Sequence, residues 1–166
     1  EIRESLAYSY GYGAQDWEIG LSHLTEALAL SRKSFGDLNP RTLTLLMQYG
    51  EVLERIDSID EENNYIKSEQ ALKEALDGFK KLYGDDHYKV RAVKQHLIST
   101  LTRVDKRLEV LTLSKELADF YVKRDGALDE YALIMQARYA QCLLDVKGGS
   151  VGGAKEGIQI LERVLN

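Results

Sequence analysis

The same short turn occurs three times in this chain, each time where a stretch with helical apolar spacing ends. The copies are Ser34-Phe35-Gly36-Asp37-Leu38-Asn39-Pro40, Leu82-Tyr83-Gly84-Asp85-Asp86-His87-Tyr88 and Arg124-Asp125-Gly126-Ala127-Leu128-Asp129-Glu130. A glycine in the left-handed conformation stops a helix, and the Asp or Asn that follows can cap the next one. Such a recurring unit cannot bury its own apolar face and has to stack on its neighbours. Gly36 and Gly84 are 48 residues apart, whereas Gly84 and Gly126 are 42 apart. The shorter interval is read as the basic unit, and the longer one as carrying an insertion of six residues in the polar run Asp57–Asn64.

Between the turns the spacing is helical throughout. Leu24, Ala27, Leu28, Ser31 and Phe35 follow a three-and-four rhythm, and Leu72, Ala75, Leu76, Phe79 and Tyr83 repeat it at the same offsets. Partner helices are predicted from Thr42 to Ile56, Tyr88 to Val104 and Leu128 to Val146. In each, a pair of residues (Tyr49-Gly50, Leu97-Ile98, Tyr139-Ala140) stands 13 and 14 residues after the preceding glycine. Ile2–Tyr12 reads as the first helix of an earlier unit, with Leu6-Ala7 in the matching place. Gly157, Ile158, Leu161, Val164 and Leu165 repeat the offsets of Gly20, Leu21, Leu24, Ala27 and Leu28. The glycine-rich run Lys147–Gly153 is read as an enlarged loop. Only Pro40 interrupts the helical composition. The prediction is an all-α chain of about four helical hairpins, at about 1–36, 40–84, 87–126 and 128–166. The last helix stops short, and the chain starts at Glu1, so a piece of a longer chain is expected.

Charge and composition narrow the functional classes. With 22 Lys and Arg against 27 Asp and Glu, the net charge is −5, the wrong sign for a general nucleic-acid binder. No apolar run reaches the ~18 residues of a membrane span. One cysteine, Cys142, allows no internal disulfide, which fits a reducing, cytoplasmic setting; on its apolar helix it reads as a small core residue. His23, His87 and His96 are scattered, without ligand spacing, so no metal is expected. His87 reads as a turn or capping residue, Trp17 as packing between helices, and Asp57–Glu62 as a solvated loop. The glycines match no phosphate-binding motif. No nucleophile–base or acid–base constellation clusters, so neither catalytic residues nor a cofactor is expected, and the chain is read as a non-enzyme.

The words of the repeat resemble a tetratricopeptide repeat of the 42-residue kinesin-light-chain type. The residues that carry the likeness are Leu6-Ala7 with Tyr10, Ala27-Leu28, and Phe35-Gly36-Asp37 with Asn39-Pro40. Tyr49-Gly50, Ala75-Leu76 and Tyr83-Gly84-Asp85-Asp86-His87 carry it in the second unit, where Tyr88 stands in place of the usual proline. The third unit departs: Leu97-Ile98 replaces a large-small pair, Leu117-Ala118 reverses the Ala-Leu order, and Asp125 replaces an aromatic residue or leucine. Tyr139-Ala140 and Val164-Leu165 restore the pattern.

That resemblance implies a right-handed α-α superhelix whose first helices line a concave surface for an extended peptide or a partner helix. Anchored on the large-small pairs, the surface would take Thr44, Met47, Gln48, Glu51 and Arg55, then Gln95, His96, Ser99 and Arg103, then Arg138 and Gln141. In such arrays Asn often stands where Gln48, His96 and Arg138 are, and holds a peptide backbone; only Gln48 keeps the amide. Arg55, Arg103 and Arg138 make the stripe more positive than the whole chain, which favours an acidic peptide. A protein or peptide partner is therefore expected, with no nucleic acid and no membrane. The competing reading is a structural or regulatory segment packed against other parts of its own longer polypeptide.

Overall fold

The computed structural model describes residues 16–56, 61–147 and 151–165. Among them there are seven helices and no strand: α1 (Trp17–Phe35), α2 (Pro40–Leu53), α3 (Glu61–Tyr83), α4 (Tyr88–Arg103), α5 (Arg107–Asp125), α6 (Glu130–Lys147) and α7 (Val151–Leu165). The helix expected at Ile2–Tyr12 lies outside the described residues, as do 57–60 and 148–150 of the two expected loops. The remainder of both loops is helical. Glu61–Asn64 form the first turn of α3, which runs 23 residues against 19 for α1 and α5, so most of the six-residue excess is absorbed by a longer helix. Val151, Gly152 and Gly153 likewise open α7, and Lys147 closes α6.

The three glycine turns are built alike. Gly36, Gly84 and Gly126 have φ of 83°, 81° and 93°, and each donates its N–H to the carbonyl four residues back, on Arg32, Lys80 and Val122. The residue three places after each glycine then caps the next helix. Asn39 Oδ1 accepts from Arg41 N at 2.9 Å, His87 Nδ1 from Lys89 N at 3.3 Å, and Asp129 Oδ1 from Tyr131 N at 2.9 Å and Ala132 N at 3.2 Å. Pro40 follows its cap at the first helical position, where no N–H is missed.

The chain falls into two compact units, residues 1–100 and 101–166, with the division inside α4. In the first unit, α2 packs against both α1 and α3: its Thr42, Leu43, Leu45, Leu46, Val52 and Leu53 are buried, as are Leu72, Ala75, Leu76 and Phe79 of the antiparallel α3. Two glycines let these helices close up. A Cβ on Gly50 would come within 2.7 Å of Leu72 Cγ, and one on Gly78 within 2.3 Å of Leu43 Cδ2. Each leucine thus sits over a glycine of the other helix.

Buried hydroxyls make the remaining cross-links. Ser31 Oγ and Thr42 Oγ1 lie 2.8 Å apart, and Thr42 donates to the Gly36 carbonyl at 2.9 Å. Ser68 donates to the Gly50 carbonyl at 2.9 Å and sits 3.2 Å from Thr100 Oγ1, which also donates to Glu54. In the second unit, Val110, Leu117, Ala118 and Tyr121 of α5 pack on Ala132, Met135, Ala140 and Leu143 of α6, and Gly157 of α7 lies against Leu144 and the Ala140 carbonyl.

The repeat rhythm has one consistent exception. Phe35 and Tyr83, the last apolar residues of their templates, are 54% and 41% exposed, while Ser31 and Phe79, one turn earlier, are buried. The buried face ends one turn before the glycine.

Candidate peptide-binding surface

Residues 44, 47, 48 and 51 recur at helical spacing on α2, with 55 in the turn just past its end, and 89, 92, 96, 99 and 103 do so on α4, so each set forms one stripe along its helix. Two hydrogen bonds set the stripes of the first unit side by side. Lys89 Nζ donates to Thr44 Oγ1 at 2.9 Å near the helix starts, and Thr100 donates to Glu54 near their ends. Between these bonds lie Met47, Gln48, Glu51, Gln95, His96 and Ser99.

Their environments differ from a uniformly open face. Thr44, Met47, Glu51, Gln95 and His96 are half-buried, Ser99 and Arg55 are exposed, and Gln48 is only 7% exposed. Thr44 also donates to the Pro40 carbonyl at 2.7 Å, so its hydroxyl is fixed when Lys89 approaches. Gln48 Oε1 is buried and has no hydrogen-bond partner among the described residues. A buried amide oxygen in that state costs about 1–3 kcal/mol, which makes it the most conspicuous polar atom of the stripe.

Arg55 is less available than its position in the sequence suggests. Its Nη2 sits 3.3 Å from Glu51 Oε1, one turn earlier, and its guanidinium stands 5.2 Å from the centroid of the Trp17 ring. Trp17 is half-buried beneath that contact, in keeping with a packing role. Lys89 is the cation that sequence spacing did not single out, although it stands seven residues before His96 and fourteen before Arg103 on one face. The anchor pair Leu97-Ile98 drew attention to its immediate neighbours and away from the first turn of the helix.

Arg103, Arg138 and Gln141 belong to the second unit. All three are exposed. Neither arginine has an ion-pair partner among the described residues. Gln141 donates to Asp145 Oδ1 at 3.1 Å. The α6 stripe extends toward its start through Ile134 and Tyr131, 48% and 59% exposed. Alternation of apolar with polar exposed residues is invisible to a pattern search that assigns apolar residues to the core, and so these two escape it.

His87 is a helix cap with its ring stacked 4.2 Å from Tyr83, and His23 is half-buried on α1. Cys142 is half-buried with Sγ 3.6 Å from Ser114 Oγ. It borders an open cavity of about 270 Å³ with Thr102, Asp105, Arg107, Val110, Asp145 and Val146, and no histidine lines it. Among the described residues no three His, Cys, Asp or Glu side chains are grouped to hold a metal ion, and no helix is long and apolar enough to cross a membrane.

No family model matches the sequence, and no curated protein matches it. Solved structures do. A putative kinesin light chain of Podosopora anserina, with nearly identical TPR-like repeats, superposes with a TM-score of 0.79 at 15% identity, over 98% of this chain and 71% of that one. BtubC (BKLC) from P. vanneervenii gives a TM-score of 0.71 at 14% identity, over 98% of this chain and 60% of that one. The backbone is conserved where almost nothing else is, and the chain has the all-α, tetratricopeptide-like repeat fold of the kinesin-light-chain arrays.

Proposed function

We infer that the array is a non-catalytic interaction scaffold, cytoplasmic, which holds a peptide or helix of a protein partner on its concave face, with the α2 and α4 stripes as the candidate surface of the first unit and the α6 stripe as that of the second. The observation that carries this reading is the side-by-side placement of α2 and α4, with Gln48, Glu51, Gln95, His96 and Ser99 beside the apolar Met47 and Ala92 between the Thr44–Lys89 and Glu54–Thr100 bonds. A line of large apolar residues alone would mark a buried helix contact; the amides, hydroxyl and imidazole leave hydrogen-bonding capacity for a ligand. The hairpin boundaries 1–36, 40–84, 87–126 and 128–166 belong to the same proposal, since they assign α2, α4 and α6 the role of first helices. Arg103 and Arg138, exposed and without acidic partners among the described residues, favour a ligand with acidic side chains.

The test is substitution of both arginines by glutamate, with binding read by fluorescence anisotropy on a library of labelled peptides. Binding of acidic members weakened tenfold or more, with an unchanged circular dichroism spectrum, is the expected result. Unchanged binding removes these residues from recognition. Self-association without any peptide affinity favours instead a segment that packs on other parts of its own polypeptide.

A further inference from the structure

We propose that His87 is a proton-operated helix cap: neutral, it closes the first turn of α4, and protonated, it lets that turn open and loosens Lys89 from Thr44. The proposal concerns the start of α4 itself and stands whatever the groove holds. His87 Nδ1 accepts the Lys89 N–H at 3.3 Å. A neutral imidazole can accept there only with its own proton on Nε2. An imidazolium cannot accept at all, because both of its ring nitrogens are donors. Protonation therefore sets a ring N–H against a backbone N–H, at the N-terminal end of a helix, where positive charge is disfavoured as well.

The other two glycine turns lack this property. Asn39 and Asp129 occupy the same place, three residues after their glycine, and cap with a side-chain oxygen. Of these three side-chain types, histidine is the one whose charge ordinarily changes between about pH 5 and 8. The surroundings of His87 accommodate both of its charge states. Its ring centroid is 4.2 Å from that of Tyr83, stacked, and 4.6 Å from that of Tyr88, tilted. Such rings hold a neutral imidazole by stacking and an imidazolium by cation–π attraction.

The charges around the turn are divided. Asp85 and Asp86 attract added positive charge, while Lys80 of α3 and Lys89, Arg91 and Lys94 of α4 oppose it. Lys80 Nζ lies 3.0 Å from Asp85 Oδ1 and holds that carboxyl below the usual aspartate range, with a smaller contribution from Lys94. Arg91 donates to the Asp86 carbonyl. From α2 comes a neutral group, the Thr44 hydroxyl, which takes Lys89 Nζ at 2.9 Å. The ring thus keeps its place when charged, and what it loses is the bond to the backbone. Lys89–Thr44 is one of the two bonds that set α4 beside α2, so an opened first turn of α4 is felt on the α2 stripe as well.

Two measurements on the whole chain test the cap. In nitrogen-15 spectra of the imidazole, His87 should carry its proton on Nε2 at about pH 7.5 and on both nitrogens at about pH 5. In native-state hydrogen exchange, the amides of Lys89, Val90 and Arg91, which bond to His87 Nδ1 or its carbonyl, report on the turn. Their protection factors should fall about fivefold between those pH values, the usual effect of losing a cap. The amides of Arg41 and Tyr131, bonded to Asn39 and Asp129, should keep theirs. His87→Asn installs the cap residue of the Gly36 turn and should abolish the pH effect. A proton on Nδ1 at neutral pH overturns the proposal, with or without the variant. Protection that is unchanged once both ring nitrogens are protonated overturns it, as does a fivefold fall that persists in His87→Asn.

Discussion

Gly36 and Gly126 combine φ of 83° and 93° with ψ of 172° and 160°. That is not the left-handed helical well expected from the turn's sequence, where ψ is near 47° and Asn is a workable substitute. It is a region open essentially to glycine alone. Space is not the constraint, since nothing lies within 4 Å of a Cβ built on either residue. Both Gly36→Ala and Gly36→Asn should therefore cost about 1–3 kcal/mol in denaturant melts; a well-tolerated Asn would place the residue in the ordinary left-handed well. Gly78 carries the opposite constraint. Its backbone is helical, so alanine gains up to ~1 kcal/mol of propensity. Yet its Cβ would meet Leu43 Cδ2 at 2.3 Å and Cδ1 at 2.7 Å, and Leu43 is only 1% exposed. Overpacking of about 1–3 kcal/mol should win, and a more stable Gly78→Ala protein would mean that Leu43 can turn aside. The turn glycines were legible from their recurrence. Gly78 was not, because one helix's sequence carries no sign of the leucine that another helix presses onto it.

At the scale of elements, helix ends were more legible than helix lengths. The caps at Asn39, His87 and Asp129 follow from the spacing after each glycine, whereas the growth of α3 and α7 into the predicted loops does not. A polar composition such as Glu61–Asn64 is compatible with a helix whose apolar face begins later, so composition could not separate the two. The end of α4 falls within one residue of Val104, where the apolar spacing puts it, but the way it closes was not legible, because it has no glycine. Lys106 N donates to the Leu101 carbonyl at 2.9 Å and Asp105 N to Thr102 at 3.4 Å, while Asp105 takes φ of 56°. This is the paired closing pattern that usually has glycine at the left-handed position. Asp105→Gly should accordingly stabilise the protein by about 0.5–1 kcal/mol. The exposed ion pair with Arg107 that it removes offsets little of this. A lower melting temperature would mean that the carboxylate holds the turn.

The same scale governs the contact of α6 with α7. Tyr139 donates to Glu156 Oε1 at 3.2 Å, and its phenol is held above the usual tyrosine range, first by burial, then by the Glu156 charge and hydrogen bond. A folded-state pKa above the unfolded one favours the neutral phenol in the native state. The associated stability is complete below the unfolded pKa near 10 and disappears as pH rises through the folded value. Tyr139→Phe should flatten the stability profile above about pH 10, where the unfolded phenol begins to ionise. An equal alkaline slope in wild type and variant would locate the titration elsewhere.

For the molecule as a whole, recurrence of a turn and of a helical rhythm was enough to specify the repeat class, and solved arrays of 14–15% identity share the backbone over 98% of the chain. The candidate surface was legible only in part. Spacing picks out a stripe, but it holds no information on which cation is already engaged, as Arg55 is by Glu51. A stacked array is stabilised by each repeat's own contacts and those with its nearest neighbours, and not by one shared core. The division into residues 1–100 and 101–166 carries the same expectation. Thr42→Val tests it, because it leaves Ser31 without its partner at 2.8 Å and the Gly36 carbonyl without its donor. A loss of about 1–3 kcal/mol is expected, less when Ser31→Ala is made with it, since the pair is then replaced by apolar groups. In native-state hydrogen exchange, the amides of α1 and α2 should lose protection by that amount while those of α6 and α7 keep theirs. A uniform loss along the whole chain would instead mean that the array unfolds as one cooperative body.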